Sequence, residues 1–158
     1  MAASGLMYVV EFNNVTVTNA AQNFWEFIGS ASASVLIHSI RITIVPTITS
    51  GVAQDVRALI QTGYMSGTGT GGSATTPVAL NQRNTVAAVT TVNRLVTTAG
   101  ATPTVRSADA VSIIVPYERI FTPDQRVPIP AGDKWYIGIS AGLGASYNAS
   151  SEIYFEEI

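Results

Sequence analysis

Ten carboxylates, one histidine and no cysteine are the groups from which this 158-residue chain can build a reactive centre. His38 sits in S-V-L-I-H-S-I-R-I-T-I-V (residues 34–45), on the same side of an extended run as Leu36 and Ile40. A metal site needs converging donors, and no His, Cys or carboxylate stands two residues from His38 along that run. The pattern favours a hydrogen-bonded histidine among apolar neighbours. Composition permits a triad of His38 with Asp55, Asp109 or Asp124, yet no serine carries the glycine pattern of a nucleophile elbow. The residue types identify no catalytic residue, no metal ligand set and no cofactor site. We read the chain as a non-enzyme.

Other chemistry-bearing groups are weighed the same way. Gly67, Gly69, Gly71 and Gly72 have the density of a phosphate-cradling loop. A P-loop needs Lys-Ser/Thr and a helix next, whereas this run continues S-A-T-T-P. It reads as a flexible surface loop over residues 66–76. Asp124, Asp133, Glu152, Glu156 and Glu157 offer oxygen ligands for calcium but lack the alternating Asp spacing of a calcium loop. They read as a solvated acidic edge that guards a terminal strand against aggregation. Among the aromatics, Phe24, Trp25, Trp135 and Tyr136 alternate with apolar residues and belong to a core. Tyr117 and Tyr147, in or near loops, are the surface candidates for stacking on a partner or a sugar.

Composition bounds the partners. Charged residues make up 11% and hydrophobic ones 47%, with a net charge of −2. The single lysine and seven arginines are scattered along the chain, so no basic field for nucleic acid is expected. No apolar run approaches the roughly 20 residues of a membrane span, and the first residues lack the pattern of a signal peptide. So little charge on a soluble surface implies either cover by Ser, Thr, Asn and Gln or burial of part of it in an assembly.

The elements that must position these groups are strands. Residues 6–12 alternate cleanly, Asn13-Asn14 marks a turn, and the β-pattern resumes over 15–18. An aromatic strand follows at 24–28, then the long run at 34–45, stopped by Pro46. Residues 54–65 fit a helix or a strand, and the surrounding β-pattern favours the strand. Further strands are expected within 85–98, 110–115, 134–141 and 151–158, while three prolines make residues 122–130 irregular. The expectation is one domain over residues 1–158, an all-β antiparallel β-sandwich, jelly-roll-like, of about eight strands. The two termini are expected as neighbours in one sheet.

Three stretches carry a family resemblance: Y-V-V-E-F-N-N-V-T-V-T-N-A-A-Q-N-F-W-E-F (residues 8–27), I-H-S-I-R-I (37–42) and G-S-A-T-T-P-V-A-L-N (72–81). Together they resemble small β-sandwich virion proteins of tailed bacteriophages, over roughly the first half of the chain. The resemblance implies a structural virion protein. A capsid decoration (cement) protein that bridges capsomers comes first, and a receptor- or glycan-binding module of a head spike or tail fibre is the alternative. The implied partners are the major capsid protein or another virion protein, and further copies of the chain, with a trimer as the first expectation. The segments expected to order on a partner are the N-terminal arm (residues 1–5, with Met1, Ala2, Ala3 and Ser4) and the loop carrying Gly67, Gly69 and Gly71. Tyr117 and Tyr147 complete the expected contact set.

Overall fold

The computed structural model describes residues 5–17, 22–46, 57–81, 83, 85–98, 100, 104–112, 115–140 and 146–158. Its strictest alternation lies at the C-terminal end. There β12 (Tyr147–Glu157) buries every second residue from Tyr147 to Glu157. A strand with one dry face needs a sheet around it. β1 (Leu6–Val17) runs antiparallel along one side of β12, and β3 (Val35–Pro46) along the other. β6 (Val78–Ala79) extends this first sheet beyond β1, while β9 (Tyr117–Ile120) and β10 (Val127–Ile129) share the far side of β3. The second sheet runs β5 (Ser73–Thr75), β7 (Thr91–Val96), β2 (Gln22–Ile28), β11 (Lys134–Ile139), β4 (Arg57–Met65) and β8 (Thr104–Ser112). All these pairings are antiparallel.

Among the described residues twelve strands stand where about eight were expected, and the surplus has one main origin. Set aside β5, β6 and β7, and count β9 with β10 as one position. The eight positions left, numbered along the chain, then run 6-3-8-1 in the first sheet and 2-7-4-5 in the second. That order is the wiring of a jelly roll. The stretch between β4 and β8 is an excursion that places β5 and β7 beside β2, and β6 beside β1. It thereby covers the edges farthest from β8 and β10.

Among the described residues four bulges reset the alternation, on β1, β2, β3 and β8, the last with Arg106 as the extra residue. On β3, Ser39 pairs Tyr154 but Ile37 pairs Phe155, so His38 is an extra residue. A bulge of this kind reverses the facing of everything beyond it. Val35 and Ile37 therefore point inward together with Ile40, Ile42 and Ile44, and His38 turns away from the core. The expected dry face of Leu36, His38 and Ile40 is corrected accordingly. On β1, Asn13-Asn14 forms a bulge rather than a turn. The register shifts between Phe12 and Val15, with Asn14 at φ 49° in the left-handed region that asparagine tolerates. On β2 the shift falls at Phe24, so Phe24 and Trp25 both reach the core and both contact Phe12.

The core lies between the sheets. Phe27 packs edge-on against Trp135 at 5.8 Å and Phe155 at 5.2 Å, and Tyr8 stacks on Phe155 at 5.6 Å. One polar bridge crosses it. Trp25 Nε1 in the second sheet donates to Ser151 Oγ in the first at 2.8 Å, and Ser151 Oγ donates on to the Arg41 carbonyl at 3.0 Å. A buried indole N–H keeps its hydrogen bond this way, which an apolar residue at 151 would deny it.

Two further expectations are corrected. The triple-proline segment is not irregular throughout: it holds a 3-10 turn (Pro123–Gln125) and β10, with Pro128 on the sheet edge where a missing N–H does no harm. And β12 is no edge. It lies between β1 and β3, so its glutamates have structural partners. Glu157, almost fully buried, accepts the backbone N–H groups of Val89 at 3.2 Å and Thr90 at 2.7 Å.

Candidate functional site

The strands place β9 and β10, on the outer side of β3, across an opening from β4 and β8 in the second sheet. Two clasps span the opening. Tyr64 on β4 donates its hydroxyl to the Pro128 carbonyl on β10. Tyr117 on β9 donates to Asp109 Oδ2 on β8 at 3.0 Å, and Arg119 Nη1 lies 3.5 Å from the same oxygen. Between the clasps lies a cavity of about 430 Å³, within the range of small-molecule sites. Ile40, Phe121 and Trp135 form its apolar lining, and Arg106, Arg119, Arg126 and Gln125 its polar rim.

The three guanidiniums are held, not loose. Arg106 lies over the Tyr64 ring at 5.6 Å and Arg119 over the Phe121 ring at 5.2 Å. Stacking on a ring fixes the plane of a guanidinium and leaves its N–H edge for a planar acceptor. Arg126 Nη1 is 3.7 Å from Glu156 Oε2, while its buried Nε has no acceptor among the described residues. Both tyrosines feel the confinement. Burial is the main cause that raises the Tyr64 hydroxyl above its usual range, with Arg106 opposing and Asp133 adding. Burial likewise raises Tyr117; the hydrogen bond from Arg119 opposes, and Asp109 adds.

The sequence candidates divide clearly. Tyr117 is half-buried at this cavity. Tyr147 is not a surface residue: it is 1% exposed in the core. It begins β12, and the strict alternation of that strand turns it inward. Burial drives its hydroxyl well above the usual tyrosine range, and that oxygen has no partner among the described residues. Gly67, Gly69 and Gly71 belong to a docked run, not a free loop. Gly69 N donates to Glu26 Oε2 at 2.9 Å, Thr70 and Thr98 exchange backbone hydrogen bonds, and Ser73–Thr75 pairs with β7. Met1, Ala2, Ala3 and Ser4 lie outside the described residues, as does Asp55.

His38 is hydrogen-bonded, as expected, but on the outer face. Its Nε2 lies 3.0 Å from Glu156 Oε2, and Glu156 Oε1 accepts the Gly5 N–H at 2.8 Å. Asp109 spends its carboxylate on Tyr117 and Arg119 rather than on a histidine. Among the described residues, no three metal-ligating side chains converge and no helix is long and apolar enough to cross a membrane.

The residues sequence reasoning missed are Tyr64, Arg106, Arg119 and Arg126. The arginines look scattered along the chain, and the fold gathers three of the seven at one opening. Their strands are neighbours only through the sandwich, so no local spacing announces them.

The class that fold and site define is an all-β jelly-roll sandwich with a cationic, aromatic-walled opening at one flank. No protein-family model matches the chain, and neither a curated protein nor a solved structure matches it.

Proposed function

We propose that this chain is a non-enzymatic structural protein of a bacteriophage particle, most specifically a capsid decoration protein that cements neighbouring capsomers. The observation that supports attachment is an apolar flank at the β6 edge of the first sheet. Val78 is 62% exposed and Val86 56%, and Leu6, Leu80 and Val89 are exposed beside them. They are drawn together through β1 and β12. Val78 pairs Val9, Leu80 N donates to the Met7 carbonyl at 3.0 Å, Tyr8 reaches the Val86 carbonyl, and Val89 is tied to Glu157. Gly5, which leads into β1, donates its N–H to Glu156 Oε1 on β12 at 2.8 Å.

Magnitudes argue for several copies. Burying what is still exposed of five side chains that are 36–62% exposed is worth roughly 4–8 kcal/mol gross. Association costs about 4–15 kcal/mol in lost freedom. A single flank is thus at best near balance, and a symmetric oligomer presenting several flanks at once holds far better. The proposed partners are the major capsid protein and further copies of the chain, a trimer first, with the virion as the location.

The test is mass spectrometry of gradient-purified particles from the source of this chain. A fixed stoichiometry with the capsid subunit supports the reading. Absence of the chain from purified particles overturns it.

A further inference from the structure

We propose that the cavity between β4, β8, β9 and β10 binds a carboxylate-bearing saccharide, such as a uronic or sialic acid unit. Three observations carry this. Three guanidiniums converge on an opening in a chain whose net charge is −2. Two of them are stacked on Tyr64 and Phe121, which orients their donor edges without a ligand present. Such preorganised forks match a carboxylate in bidentate geometry. Arg126 Nε is buried and lacks an acceptor among the described residues, so a hydrogen-bonding requirement remains open at the wall.

The shape favours a compact ring over a running peptide. The Tyr64–Pro128 and Tyr117–Asp109 clasps bracket the cavity along the strand direction, which blocks an extended chain laid beside β8. Its volume suits one or two sugar rings, with apolar floor from Trp135 and Phe121 and an amide from Gln125 at the rim. Among the described residues no carboxylate pairs with Arg106, so this cation is available for the ligand.

The inference goes beyond attachment to a capsid and does not depend on it. The cavity opens at the β10 edge of the first sheet, and the apolar flank lies at the opposite, β6 edge. One face can dock while the other binds.

The experiment is an NMR titration of the isotopically labelled full-length protein with glucuronate, N-acetylneuraminate, glucose and an acidic tetrapeptide. Arg106→Ala, an exposed position, is titrated in parallel. The expected result is shifts at Arg106, Tyr117 and Gln125 with an acidic sugar, about tenfold weaker binding in Arg106→Ala, and none with glucose. Silence with both acidic sugars at millimolar concentration overturns the proposal, as do shifts confined to other surfaces or an unchanged affinity in Arg106→Ala. Equal or tighter binding of the peptide overturns the saccharide assignment.

Discussion

Glu26, fully buried on the outer face of β2, accepts the backbone N–H of Gly69 at 2.9 Å, and its other oxygen accepts Asn23 Nδ2 at 2.9 Å. No cation shares that carboxylate among the described salt bridges. Its role is to pin the glycine-rich run against the second sheet. The approach is close: a Cβ at Gly69 would meet Glu26 Oε1 and the Thr98 carbonyl, each at 2.5 Å. Glycine is what permits the loop to lie this low.

Glu26→Ala should therefore deprive the part-buried Gly69 N–H of its acceptor and leave buried Asn23 Nδ2 with only the weak Met65 sulfur. We expect a loss of about 2–4 kcal/mol in urea unfolding. Amide hydrogen exchange should quicken at Gly69 and Thr70 before it does in β11. Unchanged exchange at those two amides would show that the run is held by β5 alone.

Ser151→Ala removes the acceptor of the Trp25 indole without altering either sheet's register. The buried N–H has no second partner in view, so the expected cost is about 1–3 kcal/mol in chemical unfolding followed by tryptophan fluorescence. A change below about 0.5 kcal/mol would mean the bridge is not a constraint on sheet packing.

Tyr147 sets an alkaline limit. Its hydroxyl ionises far less readily folded than unfolded, because burial penalises the phenolate. Below about pH 10 both states hold the proton and stability is flat. Above it only the unfolded chain releases the proton, so stability falls by up to about 1.4 kcal/mol for each pH unit. Absorbance titration near 295 nm should find tyrosine that ionises only on unfolding, with one such group fewer in Tyr147→Phe. Tyr147→Phe should flatten the decline and leave neutral-pH stability equal or about 1 kcal/mol higher, since it deletes an unpartnered buried hydroxyl. Marked destabilisation at neutral pH would contradict this assignment.

The apolar flank predicts self-association or particle binding. Val78→Asp combined with Leu80→Asp should keep the circular dichroism spectrum of the wild type, since both side chains are exposed. Light scattering behind size exclusion should show wild-type mass near three times 16.6 kDa and the variant near one. A wild-type monomer would count against the proposed self-association through this flank.

The legible part of this protein was its β character. The runs at residues 6–12, 34–45 and 134–141 were readable as strands because period-two patterning is a local rule, though the facing of residues 35–38 was not. Also readable were the strand expected within 54–65, described over Arg57–Met65, and the pairing of the first and last strands. Tyr147 was misjudged because the loop-like glycines before it suggested exposure, whereas its register opposite Val17 and Pro46 turns it inward. His38 was misjudged because a bulge in β3 adds one residue that only the partner strand reveals.

By itself the sequence determined the class of fold, the cysteine-free chemistry and the low surface charge. Hydrophobic periodicity and composition act through nearest neighbours, and that was enough. Tertiary structure alone decided the rest. It reset the facing of β1, β2 and β3 through bulges, docked the glycine-rich run on Glu26, and carried β6 round to the β1 edge. It also brought Arg106, Arg119 and Arg126 from separate segments to one opening. These depend on which strands become neighbours across the sandwich, and long-range pairing leaves no mark on local spacing.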